Sequence, residues 1–343
     1  MMQAKRLGRF GRWTTALALI AAMLVAVSAC GSSDNSSSTG GGSSSGEKIT
    51  VGLITETDTH PFFVKMKDGA QKAAAHDGVK LMTAAGKYDG DNASQVTAIN
   101  NMISAGAKGI LLVPSDTKAI VPTVEKARKQ GIKVITLDTP LEPQSAADAL
   151  YATNNFNAGK LIGQYAKVAM QGKKPVIAMM DLNPGITVGD LRHNGFLSGF
   201  GIPKKSPEIV CTQFTQGDQA KGQAAMENCL QKNPNINLVY SINEPSGLGA
   251  YNALQKAGKK ALLVSVDGGC TGVQAVKAGK IAATSQQYPL KMASQGVQAV
   301  VDAVNNDKKV SGYHDTGVNL IAQKPVSGIT SKDVQFGLDN CWG

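Results

Sequence analysis

Glu56, Asp58, Asp138, Asn154, Asp181, Asn243, Asp267 and Gln287 each stand where a short apolar run of the chain ends. Carboxylates and amides placed there can accept hydrogen bonds from hydroxyl groups, and the amides can also donate. Phe62 and Phe63 follow Pro61 in the segment Asp58-Thr-His-Pro-Phe-Phe-Val-Lys-Met66. A sugar ring has an apolar C–H face and a polar hydroxyl rim, so a site for one needs flat aromatic surface with in-plane carboxylates, amides and guanidinium. Plainer roles stay open for the same residues. Asp and Asn cap helices at strand-to-helix turns, and adjacent helical residues diverge by ~100°, so at least one of the two phenylalanine rings packs in a core.

The elements that must position these residues are legible in the hydropathy pattern. Strand candidates fall at 48–55, 79–85, 109–114, 132–138, 149–154, 175–181, 208–214, 238–243, 261–267 and 281–287. Helical patterns run over Pro61 to Asp77, Asn92 to Ala105, Ile120 to Gln130, Phe156 to Met170, Gln219 to Gln231, Ser246 to Ala257 and Leu290 to Val304. This alternation specifies parallel sheets covered by helices on both faces. The strands are too many for one open sheet, so the reading is α/β with two doubly wound parallel-sheet domains. In such sheets ligands bind beyond the carboxyl ends of the strands, where the polar residues stand.

Ahead of these elements lie the basic residues Lys5, Arg6, Arg9 and Arg12, an apolar stretch from Thr15 to Val27, and Ser28-Ala29-Cys30. That order predicts a lipoprotein export signal over 1–29, with Cys30 as the lipidated first mature residue. The apolar core is shorter than the ~20 residues that a membrane span needs. Residues 30–47, almost all Ser, Gly, Thr, Asn and Asp, read as a flexible tether to the outer face of the cell membrane. The leader also supplies four of the basic residues behind the formal charge of +10. The remaining positive charge is spread out, without interleaved aromatics, so a nucleic-acid partner is not expected. Cys211, Cys229, Cys270 and Cys341 allow three pairings, of which Cys211–Cys229 and Cys270–Cys341 are favoured in an exported chain. No cysteine or histidine spacing suggests a metal site, and no cofactor motif is present.

In its motifs the chain resembles the periplasmic sugar-binding proteins of ABC importers, type I fold, ribose-binding group. The likeness runs from about 48 to 323 through VGLITETDTHPFF at 51, PSD at 114, VITLD at 134, NNFNAGKLIG at 154, LRHNGF at 191, YSINEPSGLGAYNAL at 240, VSVDGGCTGV at 264 and ATSQQYP at 283. The two disulfides and the terminal Cys341-Trp342-Gly343 look like a subgroup that includes fructose-type binders. The resemblance implies two lobes, 48–153 plus 288–318 and 154–287 plus 319–343, joined by three crossovers and closing as a hinge. It implies sugar contacts from Glu56, His60, Phe62, Phe63 and Asp138 on one side, and from Arg192, Asn243, Asp267 and Gln287 on the other, with Thr153 and Asn183 added. Its partners would be a small sugar or polyol and the permease and ATPase subunits of the importer, with the binding protein a monomer.

Departures bear on the ligand. Ribose binders of the group carry Asn where His60 stands, Arg where Thr139 stands and an aromatic where Val266 stands, while Glu56 replaces a small polar residue. These changes point away from ribose toward a ketohexose, another pentose or a sugar alcohol, with fructose the leading expectation. His60 also reads as a helix cap. As a hydrogen-bond acceptor for ligand it would lose affinity on protonation near its ordinary pKa of about 6.5. An enzyme is not expected, since no G-x-S-x-G elbow or metal motif occurs and Ser33-Asp34-Asn35 lies in the tether without partners. A glycoside-acting enzyme nonetheless uses similar carboxylates, and a receptor signalling to a chemoreceptor or histidine kinase would use the same closure.

Overall fold

Runs such as Thr50-Val-Gly-Leu-Ile-Thr55 and Gly109-Ile-Leu-Leu112 are buried on both faces, as strands at the centre of a parallel sheet must be. A computed structural model describes residues 48–343 apart from 324 and 326. The export signal, Cys30 and the tether expected from the sequence lie outside the described residues. In chain order the elements are β1 (Thr50–Thr55), α1 (Pro61–His76), β2 (Lys80–Ala85), α2 (Asn92–Ser104), β3 (Gly109–Leu112), α3 (Val121–Lys129), β4 (Lys133–Leu137) and β5 (Ala149–Ala152). There follow α4 (Asn155–Ala169), β6 (Ile177–Asp181), α5 (Thr187–Phe200), β7 (Ile209–Phe214), α6 (Gln219–Lys232), β8 (Leu238–Ser241), α7 (Glu244–Lys256), β9 (Leu262–Asp267), α8 (Cys270–Lys277) and β10 (Ala283–Gln286). The chain ends with α9 (Pro289–Asn305), β11 (Gly312–Asp315), β12 (Asn319–Ala322), β13 (Ser331–Lys332) and α10 (Val334–Asn340).

Two sheets result. A six-stranded sheet has the order β11-β5-β4-β3-β1-β2, and a seven-stranded sheet the order β13-β12-β10-β9-β8-β6-β7. The fold is thus α/β, with two doubly wound domains. The chain passes between them after β5, after β10 and after β11. Helix α9 covers the first sheet beside α1, and α4 covers the second. Each sheet carries an apolar cluster on either face, Leu111, Ile135 and Val297 marking one and Phe196, Tyr240 and Val264 another.

One feature departs from the all-parallel expectation. β12 runs antiparallel to β10, because the chain re-enters the second sheet directly from β11 with no crossover helix to reverse its direction. Helices α5, α8 and α10 and strands β11 to β13 were not among the sequence-predicted elements. β11 is exposed along its length, so it lacks an apolar signal. In α5 the face toward α4 is made of glycine, and hydropathy does not register it.

That glycine face fixes how closely two helices approach. A Cβ on Gly159 of α4 would lie 2.0 Å from the Arg192 carbonyl oxygen, and one on Gly195 of α5 would lie 2.1 Å from that of Phe156. Backbone meets backbone there, so an added methyl has no flexible neighbour to displace. Gly159→Ala is expected to destabilise the protein by ~1–3 kcal/mol, seen as a fall of several degrees in Tm. It should also weaken ligand binding, since α5 carries Arg192. An unchanged melting curve would contradict the packing described.

Candidate functional site

At the carboxyl ends of the two sheets, β4 and β9 each run into an aspartate with an unusual backbone. Asp138 has φ +61° and Asp267 φ +142°. Non-glycine residues pay for such conformations, which gather where a side chain must be aimed at a site. Between the two carboxylates lies Arg192 from α5, with Nη2 3.7 Å from Asp138 Oδ1 and Nη1 3.7 Å from Asp267 Oδ1. Arg192 is 4 % exposed. Its Nε donates to Asn155 Oδ1 at 2.8 Å and its Nη1 to the Ile242 carbonyl at 3.2 Å. Asn155 in turn donates to the carbonyls of Asp138 and Thr153. One arginine of the second domain is therefore held against a carboxylate from each domain.

The turn carrying Asp267 is braced by a buried acid. Glu244, the first residue of α7, accepts from Gly268 N at 2.8 Å, Gly269 N at 3.0 Å and Thr284 Oγ1 at 2.7 Å. Burial and the Asp267 charge raise the Glu244 pKa. Gly272 makes room for this carboxyl, because a Cβ there would lie 1.8 Å from Glu244 Cδ. Asp267 Oδ1 accepts from Gln287 Nε2 at 2.9 Å, which fixes the amide with its carbonyl oxygen free.

A cavity of about 640 Å³ lies between the domains, large enough for a small molecule. Glu56, His60, Phe62, Phe63, Asp138, Arg192, Asn243, Asp267 and Gln287 all line it. Thr153 and Asn183, also expected at the site, do not. Thr153 is buried at the first crossing, and Asn183 is half-buried after β6. Of the other strand-end residues, Asp58 and Asn154 are exposed, and Asn154 caps α4 by accepting from Asn157 N. Asp181 sits 3.0 Å from His193 Nδ1, outside the lining.

Two buried acceptors on the wall, Asp138 Oδ1 and Gln287 Oε1, have no hydrogen-bond donor among the described residues, and Glu56 and the Asp89 carboxylate have only each other, the raised Glu56 carboxyl donating to Asp89. Acceptors so placed are costly unless a ligand donates to them. Asp89 was not among the expected site residues, because it lies four residues beyond the end of β2, inside the turn rather than at the close of the apolar run. Burial, then the charge and hydrogen bond of the neighbouring Asp89 and the charge of Asp138, hold the Glu56 pKa well above the usual carboxylate range, with Arg192 opposing. Burial raises Asp89 and Asp138 as well.

His60 caps α1, its Nδ1 accepting from Phe62 N at 3.2 Å. A neutral imidazole has one acceptor nitrogen, so it accepts either from Phe62 N at Nδ1 or from Asn243 at Nε2, one tautomer serving each. Nε2 lies 3.1 Å from Asn243 Nδ2 across the cleft. Asn243 itself accepts from Ser246 N and donates to the Gly217 carbonyl. The two side chains thus join the domains across the cleft beside the cavity that both line. Burial, then the Arg192 charge, lowers the His60 pKa to about 4. The expectation of an affinity change near pH 6.5 is corrected accordingly: the ring is neutral through that range. Phe62 and Phe63 are both buried in the apolar cluster and both border the cavity, their rings edge-to-face at 5.5 Å. Among the described residues no group of three or more His, Cys, Asp or Glu is arranged to hold a metal.

Residues 51–308 match the model of the periplasmic binding protein domain. The chain belongs to the periplasmic binding protein family. A ribose import binding protein of Salmonella typhimurium is 33% identical over 281 residues, covering 81% of this chain and 92% of the relative. A D-allose-binding periplasmic protein of Escherichia coli is 28% identical, covering 75% and 85%. A solved periplasmic solute-binding protein of an ABC transporter from Actinobacillus succinogenes, with bound D-allose, superposes with a TM-score of 0.73 at 27% identity, covering 80% of this chain and 98% of that one. These relatives are binding proteins of sugar transport, and the type I periplasmic binding protein fold is the one described above.

For this periplasmic binding protein the raised Glu56 carboxyl yields a test. Its folded pKa exceeds the unfolded value of ~4.3, so its stabilising contribution is complete below that value and is lost as pH rises through the folded value. Glu56→Gln removes the burden. Free Glu56→Gln protein is expected to melt a few degrees above wild type at pH 8, with the difference vanishing toward pH 4. The same variant should bind ligand less tightly. Calorimetry across that range checks both, and a variant less stable than wild type at pH 8 would contradict the assignment.

Proposed function

We propose that the chain captures a monosaccharide or sugar alcohol between its two lobes and delivers it to the permease of an ABC importer. Capture is by closure about the three crossings, with the lobes taken as 48–153 plus 288–318 and 154–287 plus 319–343. A monomer tethered by lipidated Cys30 to the outer face of the membrane is the form in which this would work. The observation that carries the reading is the chemistry of the cavity wall: unpaired carboxylate and amide acceptors beside buried aromatic rings, centred on a guanidinium. Hydroxyl groups supply the missing donors and a sugar's C–H face suits the rings.

Closure follows from the placing of the groups. A ligand hydrogen-bonded to Asp138, His60 and Glu56 on one lobe and to Arg192, Asn243 and Asp267 on the other is stabilised fully only when the lobes meet. Its differential affinity then shifts the open and closed populations. The Glu56 and Asp89 carboxyls extend the row of hydrogen-bonding groups beyond the Arg192 cluster, which favours a six-carbon ligand. Among such ligands fructose is our leading assignment, ahead of other ketohexoses, pentoses and polyols.

The test is thermal unfolding against a panel of pentoses, hexoses and polyols. A ligand at about 1,000 times its Kd should add ~4 kcal/mol, a shift of several degrees. We expect a shift with fructose or a close hexose. A shift with ribose alone would overturn the ligand assignment, and none across the panel would overturn the sugar reading. Arg192→Gln should lower affinity for the active sugar by at least about 100-fold, because it removes charge-assisted donors and leaves two buried carboxylates unopposed.

A further inference from the structure

The last residues of the chain reach from one lobe to the other. Helix α10 packs on α8 and β12 in the second lobe, and Cys341 is bonded to Cys270 at the start of α8. Beyond that anchor Trp342 forms a parallel bridge with Gly269, and Cys270 N donates to the Trp342 carbonyl at 2.9 Å. The indole N–H donates to the Gln287 carbonyl at 2.8 Å, at the second crossing between the sheets. The ring then meets the first lobe, edge-on to Phe62 with centroids 5.4 Å apart and planes at 74°. It shares that lobe's apolar cluster with Val51, Met66 and Val297.

Residues 341 and 342 are fixed by a disulfide, a backbone hydrogen bond and a side-chain hydrogen bond. Trp342 is 6 % exposed and borders the same cavity as Asp267 and Gln287. Packing alone would explain burial of the indole. It would not explain a side chain of the second lobe that fills the first lobe's cluster, hangs from the crossing strand and faces the ligand cavity.

We infer that Trp342 is a wall of the ligand site and the contact through which the second lobe closes on Phe62, positioned by the Cys270–Cys341 disulfide. The inference rests on the reading of the cleft as a sugar site and adds to it a preference for ligands with a continuous C–H face, which an aromatic ring can cover. The disulfide contributes by holding the terminal segment in place, so its removal should act on affinity as well as on stability.

The chain contains two tryptophans, Trp13 and Trp342. In the full chain carrying Trp13→Phe, Trp342 is the sole source of indole emission. That emission is titrated with the panel sugar that raises Tm most, alongside calorimetric binding. The expected result is an emission change that saturates along the calorimetric isotherm. Trp342→Ala should weaken binding about tenfold or more, Trp342→Phe less, and the paired Cys270→Ser and Cys341→Ser substitutions several-fold. Bound sugar with unchanged Trp342 emission, or an unchanged Kd in Trp342→Ala, would overturn the inference and leave the sugar reading intact. If Trp342→Ala fails to fold, Trp342→Phe and the titration of the unsubstituted residue decide. If no sugar binds the wild-type chain, the sugar reading falls and this inference falls with it.

Discussion

A buried guanidinium flanked by carboxylates from two different sheets is the constraint around which the rest is organised. Arg192 lies 3.7 Å from both Asp138 and Asp267, too far for a tight ion pair and near enough to screen two buried negative charges from each other. Removing charges from water costs more than such loose contacts return, so the arrangement is poor as a device for stability alone. It makes sense as a set of groups kept apart so that a polar ligand can enter among them. The unusual φ values of both aspartates express the same compromise, since the backbone is bent at matching places in the two domains to aim the carboxylates inward.

What surrounds this cluster serves to hold it. The glycine contacts between α4 and α5 bring Arg192 close to the first crossing, where Asn155 links it to the Asp138 carbonyl. Glu244 accepts three hydrogen bonds that lock the turn after β9, at the cost of burying an acid whose pKa is raised. The second disulfide brings the chain terminus to the same turn. Stability given up at the cavity wall, in acceptors that lack donors, is thus offset by backbone-level bracing one layer behind it.

Much of this was legible in the sequence, for physical reasons. Doubly buried parallel strands produce continuous apolar runs, so the α/β architecture and the strand ends could be read directly. Glu56, Asp138, Asn243, Asp267 and Gln287 stood out because the carboxyl ends of such strands are where polar residues have work to do. The same rule overreached at Asn154, a cap, and its buried neighbour Asn155 does the bridging. Asp89 and Trp342 gave no positional signal: one lies in a turn, and the other is brought to the cleft by the neighbouring Cys270–Cys341 disulfide, whose cysteines stand 71 residues apart. Burial explains His60, whose neutral ring could not be foreseen from an unperturbed pKa.

We propose that the ligand lies between the lobes with the Arg192 cluster as its anchor. The most direct measurement is a crystal structure of the protein with the sugar that gives the largest thermal shift. Sugar oxygens are expected within about 2.7–3.2 Å of Arg192, Asp138 and Asp267 at once, with contacts to both lobes. A sugar bound on one lobe alone, or one making no contact with Arg192, would contradict it.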